Sequence, residues 1–349
     1  MRLMSMSRPV ARAAALACAL ALVVLSGLGA SDAETVYVEG YPELRGSSGR
    51  TSDLFFGDLV RSGESVLTGL DDTAELELAN GNSVVVDSDT VFTLQESVED
   101  GETRSAYSNS RGSVTYRLNN IRGRGPRIQS ANAVAGVRGT TFTVFAGDDG
   151  TSLFLVEEGR VAVQAQGEEV EVNENFAVEV GAGQAPGDPF EVLRGELDFS
   201  GWNNGRTEAI LDDPVTAAEG AYRRLEEIVA ELNEAAAVYE PLREELRQAR
   251  EEADEVFDEE GQEAYEEFHA ENVRPLEYST PRRFTNVRYW ALSALNMRRY
   301  VFGRMYTILR STYMLDPEND QLQDYLEVHN RAIDLLEREV SEYLGSPDY

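Results

Sequence analysis

From residue 35 to about 185, apolar and polar residues alternate in short runs punctuated by glycine. From about residue 214 onward they recur at three- and four-residue steps instead. A chain written this way has to build strands first and helices second, because side chains alternate sides in a strand and return to one face every 3.6 residues in a helix. The fold class expected is therefore an all-β N-terminal unit, a twisted sandwich or solenoid-like coil, followed by an antiparallel α-helical unit. The boundaries predicted are 34–185 for the β unit, closed by a Gly/Pro-rich stretch over 181–189, then 186–213 for a linker and 214–349 for the helices.

Within the β unit, Gly57, Gly63 and Gly69 recur every six residues between short apolar runs, which marks tight corners. Glu75, Leu76, Glu77 and Leu78 alternate strictly, then come Asn80 and Gly81, then Val84, Val85 and Val86. Asn-Gly supplies the positive φ of a two-residue hairpin turn. Residues 96–104 are polar and read as a loop, 112–118 as a strand, and Gly147-Asp148-Asp149-Gly150 as a hairpin turn. The cationic run Arg122-Gly123-Arg124-Gly125-Pro126-Arg127 reads as a turn whose arginines pair with carboxylates, or else as an anion-binding loop. About a dozen strands of this kind fit a sandwich, a roll or a coil equally well.

Downstream, the helical reading runs from Pro214 to a break or kink at Pro241, then from 242 to about 272, 284 to 315 and 318 to 344. The last two resemble one tetratricopeptide hairpin and fit an antiparallel bundle equally well. Their aromatic stripe, which includes Trp290, Phe302 and Tyr313, reads as core.

Charge and the N-terminus bound the function. The chain has 31 basic residues, all of them Arg, against 63 acidic ones, a formal net charge of -32. Such a field opposes nucleic acid and anionic membrane surfaces and favours basic partners, and it suits solubility in salty surroundings. Arg2, Arg8 and Arg12 precede an apolar run over 13–28, and Ala30, Ser31 and Ala33 follow. This is the grammar of a signal peptide over residues 1–33, cleaved after Ala33 or, next, after Ala30. The product is expected in the periplasm or outside the cell, without membrane insertion. Cys18, the single cysteine, lies in the apolar run, so the mature chain has no thiol chemistry and no disulfide.

Six ordered pieces resemble the periplasmic FecR-type domain, the module of the iron-dicitrate sensory regulators. They are Gly57-Asp58-Leu59-Val60; Val66-Leu67-Thr68-Gly69; the Ala74–Asn82 hairpin with Gly81; the Asp87-Ser88-Asp89 turn; Ser130-Ala131 with Ala135-Gly136-Val137-Arg138-Gly139-Thr140-Thr141-Phe142-Thr143-Val144; and Val156-Glu157-Glu158-Gly159-Arg160-Val161. The resemblance covers about residues 35–185. It implies a β domain beyond the cytoplasmic membrane, of a type used for protein contact. Its signature residues Gly57, Asp58, Thr68, Gly69, Gly81, Gly136, Val137, Arg138, Gly139, Thr140, Phe142 and Gly159 are expected to be structural. Arg138, between glycines, suits a corner where its donors satisfy backbone carbonyls or a carboxylate; a clamp on a ligand carboxylate is the alternative. In the founding regulators an anti-sigma helical domain and a membrane helix precede this module. Here about a dozen residues precede the apolar run, so direct sigma-factor control is not expected.

No phosphate-binding loop, nucleophile elbow or His-Glu-x-x-His pair is present, and His269 and His329 fall on different helices. Asp316, Glu318, Asp320, Asp324 and Glu327 fall at calcium-loop spacing, but Gln321 stands where the turn needs Gly. No catalytic residue, cofactor or metal ligand is assigned. The expected function is an exported, non-enzymatic interaction, signalling or scaffold module with a protein partner in the cell envelope. Sensing of a glycan, metal or small molecule is the alternative.

Overall fold

The computed structural model describes residues 32–344 apart from Ser48, Ala79, Asn80, Asp100, Asn120, Arg122, Gly123 and Arg138. The signal peptide expected over 1–33, apart from Asp32 and Ala33, and Cys18 therefore lie outside the described residues. The first half is all strand: β1 (Ala33–Glu39), β2 (Glu43–Arg45), β3 (Thr51–Asp53), β4 (Leu59–Val60), β5 (Ser65–Leu67), β6 (Thr73–Leu78), β7 (Ser83–Val86), β8 (Val91–Glu99), β9 (Glu102–Leu118), β10 (Arg127–Gln129), β11 (Val134–Val137), β12 (Thr140–Ala146), β13 (Ser152–Glu158), β14 (Arg160–Ala165), β15 (Glu168–Asn173), β16 (Phe176–Val180) and β17 (Phe190–Glu191).

The strands form two open sheets. The first runs β4-β1-β6-β7-β9-β12-β13-β16-β17, antiparallel throughout. The second runs β3-β2-β5-β8-β9-β10-β11-β14-β15, with one parallel pair, β9–β10. Successive hairpins alternate between the sheets, and a single core cluster takes residues from both, among them Leu76, Val86, Phe142 and Val156 from the first and Phe92, Leu94, Ile128 and Val163 from the second. The result is a sandwich wound as a coil, which resolves the choice that strand spacing left open. Phe92, Tyr107, Tyr116 and Phe142 stack through its centre, Tyr116 and Phe142 with ring centroids 5.0 Å apart. Complete burial pushes the Tyr116 phenol far above its ordinary pKa.

β9 belongs to both sheets. Residues 102–111 pair with β8 in the second, and 112–118 pair with β12 in the first. A bulge opposite Val91 and Phe92 and the left-handed Gly112 (φ +80°) turn the strand between them. A Cβ on Gly112 would lie 2.2 Å from the Thr90 hydroxyl and 2.6 Å from the Asp89 carbonyl oxygen, so only glycine fits. The polar stretch 96–104, expected as a loop, is instead the end of β8 and the start of β9. It pairs residue for residue from Glu96↔Ser105 to Glu99↔Glu102, and this backbone pairing outweighs weak side-chain propensity.

The second half contains α1 (Phe199–Asp212), α2 (Pro214–Glu260), α3, α4 (Asp320–Glu339) and the one-turn α5 (Ser341–Leu344). α3 is one continuous right-handed helix over 262–312, widened by π turns at His269–Val273 and Met297–Phe302. α3 packs antiparallel to α2 and α4 around a second core that includes Leu225, Leu232, Trp290, Phe302, Tyr325 and Leu336. Ala106 of the second sheet and Ala131 of the β10–β11 turn join that core, so the helices are built onto the sandwich.

Two expectations change here. Pro241 does not break α2, and the break falls at Gly261 (φ 87°, ψ -172°). The segment 186–213, expected as a linker, holds β17 and α1. Phe199 and Trp202 pack with Val192 and Leu197 on Phe145, Leu153, Leu155 and Ala177 of the first sheet.

Candidate functional site

The family-signature residues occupy corners of the sandwich. The Gly57 N–H (φ +85°) donates to Thr35 O at 2.8 Å, and the Asp58 carboxylate accepts from Phe55 N–H at 2.8 Å. Buried Thr68 accepts from Thr90 N–H at 2.9 Å and donates to Asp87 O, while Gly69 N–H donates to Asp72 at 2.7 Å. Gly81 (φ +72°) follows β6, and Gly136 and Val137 lie in β11 opposite Ala162 and Val161. Thr140, fully buried, donates to Arg160 O at 3.0 Å. Gly139 (φ +65°) and Gly159 (φ +83°) face one another; a Cβ on Gly159 would lie 2.7 Å from Gly139 O. Arg138 lies outside the described residues. Among the described residues, no two of these positions line one of the larger cavities.

What does converge is the face of the second sheet turned away from the sandwich core. There β8 presents Thr93, Gln95 and Ser97, β9 presents Ser108 and Ser110, and β10 presents Arg127 and Gln129. Strand alternation predicts this face to be wet. Instead α3 lies across it and buries it. The contacts are polar: Asn286 accepts from Val98 N–H and donates to Val98 O (2.7 Å), Ser293 donates to Gln129 at 3.2 Å, and Arg282 donates to Gly101 O at 2.9 Å. Arg127, from the cationic loop, meets no carboxylate here. Its guanidinium lies over the rings of Trp290 (5.2 Å) and Tyr289 (5.6 Å). Arg124 approaches Glu99 at 4.0 Å, as the turn reading expected.

The β12–β13 hairpin turn supplies a second polar junction. Asp148, 2% exposed, accepts from Arg304 Nε at 2.8 Å, from the same guanidinium at 3.1 Å and from Thr207 at 3.0 Å. Its own N–H donates to Asn203 at 3.0 Å. One turn thus ties α1 and α3 to the sandwich. Beside it, burial raises the Asp149 pKa, opposed by hydrogen bonds from the Thr151 N–H and hydroxyl.

Basic residues cluster on α3. Between 274 and 312 it carries eight arginines and one acidic residue, Glu277, in a chain of net charge -32. That contrast was visible in the sequence and is the signal that would have found Arg282, Arg288 and Arg304. His329 sits among Phe302, Tyr306 and Tyr325, and burial lowers its pKa. His269 lies near Tyr265 and Glu277 at the other end of the helical unit. Asp320, Asp324 and Glu327 lie along helix α4 rather than around a loop, and Asn319 caps that helix by accepting from Gln321 N–H at 3.1 Å. Among the described residues no group of three or more His, Cys, Asp or Glu is arranged to hold a metal ion. Among them, too, no helix is long and apolar enough to cross a membrane.

No curated protein matches the chain. Among solved structures, two crystal structures of a protein described provisionally as an anti-sigma factor from Parabacteroides distasonis ATCC 8503 resemble it, at 17% and 16% identity and a TM-score of 0.30. Each likeness covers 37% of this chain and 59% of that one. The family model described as FecR protein matches residues 64–162, from the start of β5 to the middle of β14, so the centre of this β sandwich is similar to a FecR domain.

Proposed function

We propose that the protein is an exported, non-enzymatic interaction module that signals or scaffolds by contact with a basic partner protein in the cell envelope. The observation that carries this reading is one surface of the sandwich. Tyr37, Tyr41, Phe55, Phe56 and Leu70 are between 49% and 87% exposed. They are drawn together by Leu54 N–H on Pro42 O, Gly57 N–H on Thr35 O, and Asp72, which accepts from both Tyr41 N–H and Gly69 N–H. Exposed aromatic residues gathered this way mark contact surfaces. Glu34, Glu43, Asp53, Asp58 and Asp71 stand near them in the chain, and among the described residues none forms an ion pair. Apolar contact ringed by carboxylates suits a partner bearing Arg or Lys, which also gains from the aromatic faces.

Crosslinking in envelope extracts tests it. The wild type is expected to hold a defined partner that the double variant Phe55→Ser/Phe56→Ser loses and that rising salt releases. Recovery of the same proteins by the variant, or of nothing beyond a bare-matrix control, would refute the reading. Export is tested separately by the intact mass of the secreted chain. Ala33 is fully buried in β1, opposite Val60 and Leu78, which supports cleavage after Ala30 over cleavage after Ala33. A mature chain that still begins at Met1 would count against cleavage at either site.

A further inference from the structure

A cavity of about 190 Å³ lies where α3 crosses the end of β8 that extends beyond β5, between Gly63 and the Asn286 contact with Val98. It is well above the ~10–15 Å³ that admits a single water, and has room for an organic molecule of several carbons. Three of its lining residues carry polar groups without a partner, the buried Tyr289 hydroxyl among them. Gln95 is 2% exposed on the α3-facing side of β8, and neither its amide oxygen nor its amide nitrogen has a partner. Arg288, half-buried on α3, makes no hydrogen bond or ion pair with any described residue, although the chain carries twice as many acidic residues as basic ones. A buried amide without partners is destabilising and calls for an explanation. The unpaired guanidinium beside it presents a planar fork of donors suited to a carboxylate.

The backbone makes room for that guanidinium. Gly63 is left-handed (φ +90°), and a Cβ there would lie 2.1 Å from an Arg288 terminal nitrogen. Glu96 borders the cavity, but successive residues of a strand point to opposite faces, so its side chain leaves β8 on the side away from Gln95. The remaining wall takes its apolar surface from Pro281, Phe284 and Leu292 of α3, with hydroxyls from Ser62, Thr285 and Tyr289 at its margins. The site therefore has a cationic and amide end and a hydrocarbon end.

We propose that this cavity binds a small aliphatic monocarboxylate, its carboxylate paired with Arg288 and hydrogen-bonded by Gln95, its chain against Phe284 and Leu292. Inorganic phosphate, which fits the charge, has nothing to place against the apolar wall. Because the ligand would touch β8 and α3 together, occupancy would strengthen the junction between sandwich and helices. The proposal is independent of whether a partner protein docks elsewhere.

The test is calorimetry on the full chain with acetate, butyrate and hexanoate, and with phosphate and butylamine as controls. Binding is expected to tighten from acetate to hexanoate and to be absent for both controls. Arg288→Met keeps the stem, removes the charge and is expected to weaken hexanoate binding by about tenfold or more. Gln95→Met is expected to weaken it by a smaller factor, and thermal unfolding of both variants reports whether they are folded. If Arg288→Met does not fold, the comparison of hexanoate with phosphate and butylamine on the wild type decides alone. No heat from any carboxylate, equal binding of phosphate, or undiminished binding by folded Arg288→Met would overturn the proposal.

Discussion

At the residue scale Asp148 is a position where a single change is costly. It is buried, ionically paired to Arg304, and hydrogen-bonded to Asn203 and Thr207. Removing its cation leaves a buried carboxylate uncompensated, so Arg304→Met is expected to cost about 2–4 kcal/mol in denaturant unfolding, below the full penalty because Thr207 and Asn203 remain. A loss under about 0.5 kcal/mol would mean that solvent already compensates Asp148. Asp149 makes the opposite prediction. Its pKa is raised above 3.8 in the fold, chiefly by burial, so the folded state holds the proton more tightly than the unfolded chain. Its contribution to stability therefore falls as pH rises from about 3.8 through the raised value, and stays unfavourable above it. Asp149→Asn should raise the melting temperature relative to wild type at pH 7, and that advantage should shrink as the pH is lowered toward 3.8; a difference that does not change with pH would argue against burial as the cause. The sequence does identify this stretch as a turn, since Gly-Asp-Asp-Gly admits little else. It does not reveal the burial, because Asp148 finds its partners 55, 59 and 156 residues away.

At the scale of elements, the helices show how context overrides local rules. Pro275 has no N–H to give the carbonyl four residues back, and a π turn precedes it, with Arg274 N–H reaching five residues back to His269 O. Helix α3 thus continues through a proline that reads as punctuation, and tertiary packing of its buried face stabilises what propensity alone would not. α1 was hidden for a different reason. Its pattern around Trp202-Asn203-Asn204-Gly205 has almost no apolar stripe, because it contacts the first sheet through Phe199 and Trp202 at one end. That contact predicts the behaviour of fragments. A chain ending at 185 exposes Phe145, Leu153 and Leu155 and should bind a hydrophobic dye and associate, whereas one ending at 213 keeps them covered and should not. Equal dye binding by the two fragments would show that α1 does not protect the sheet by itself.

At the scale of the whole molecule, charge is the dominant fact. With net charge -32 the folded chain repels itself, so its melting temperature is expected to climb as salt rises from about 0.05 to 1 M, where the screening length shrinks to about 3 Å. A flat response would mean that the carboxylates are already compensated locally. Within this field α3 is a basic rod laid on a polar sheet face, and its arginines meet Asp148, Gly101 O and the unpaired Gln95 cavity. The sequence by itself determined the order of strands and helices, the corner glycines, the likeness to a FecR domain and the acidity, because these follow from local periodicity, turn chemistry and composition. The tertiary structure alone decided which sheet face stays wet. Alternation marks one face of each strand as polar and cannot say whether water or a helix some 180 residues away will cover it. Because α3 covers it, the Ser, Thr and Gln side chains of that face, together with Arg288, become the lining of a buried interface instead of a solvated surface.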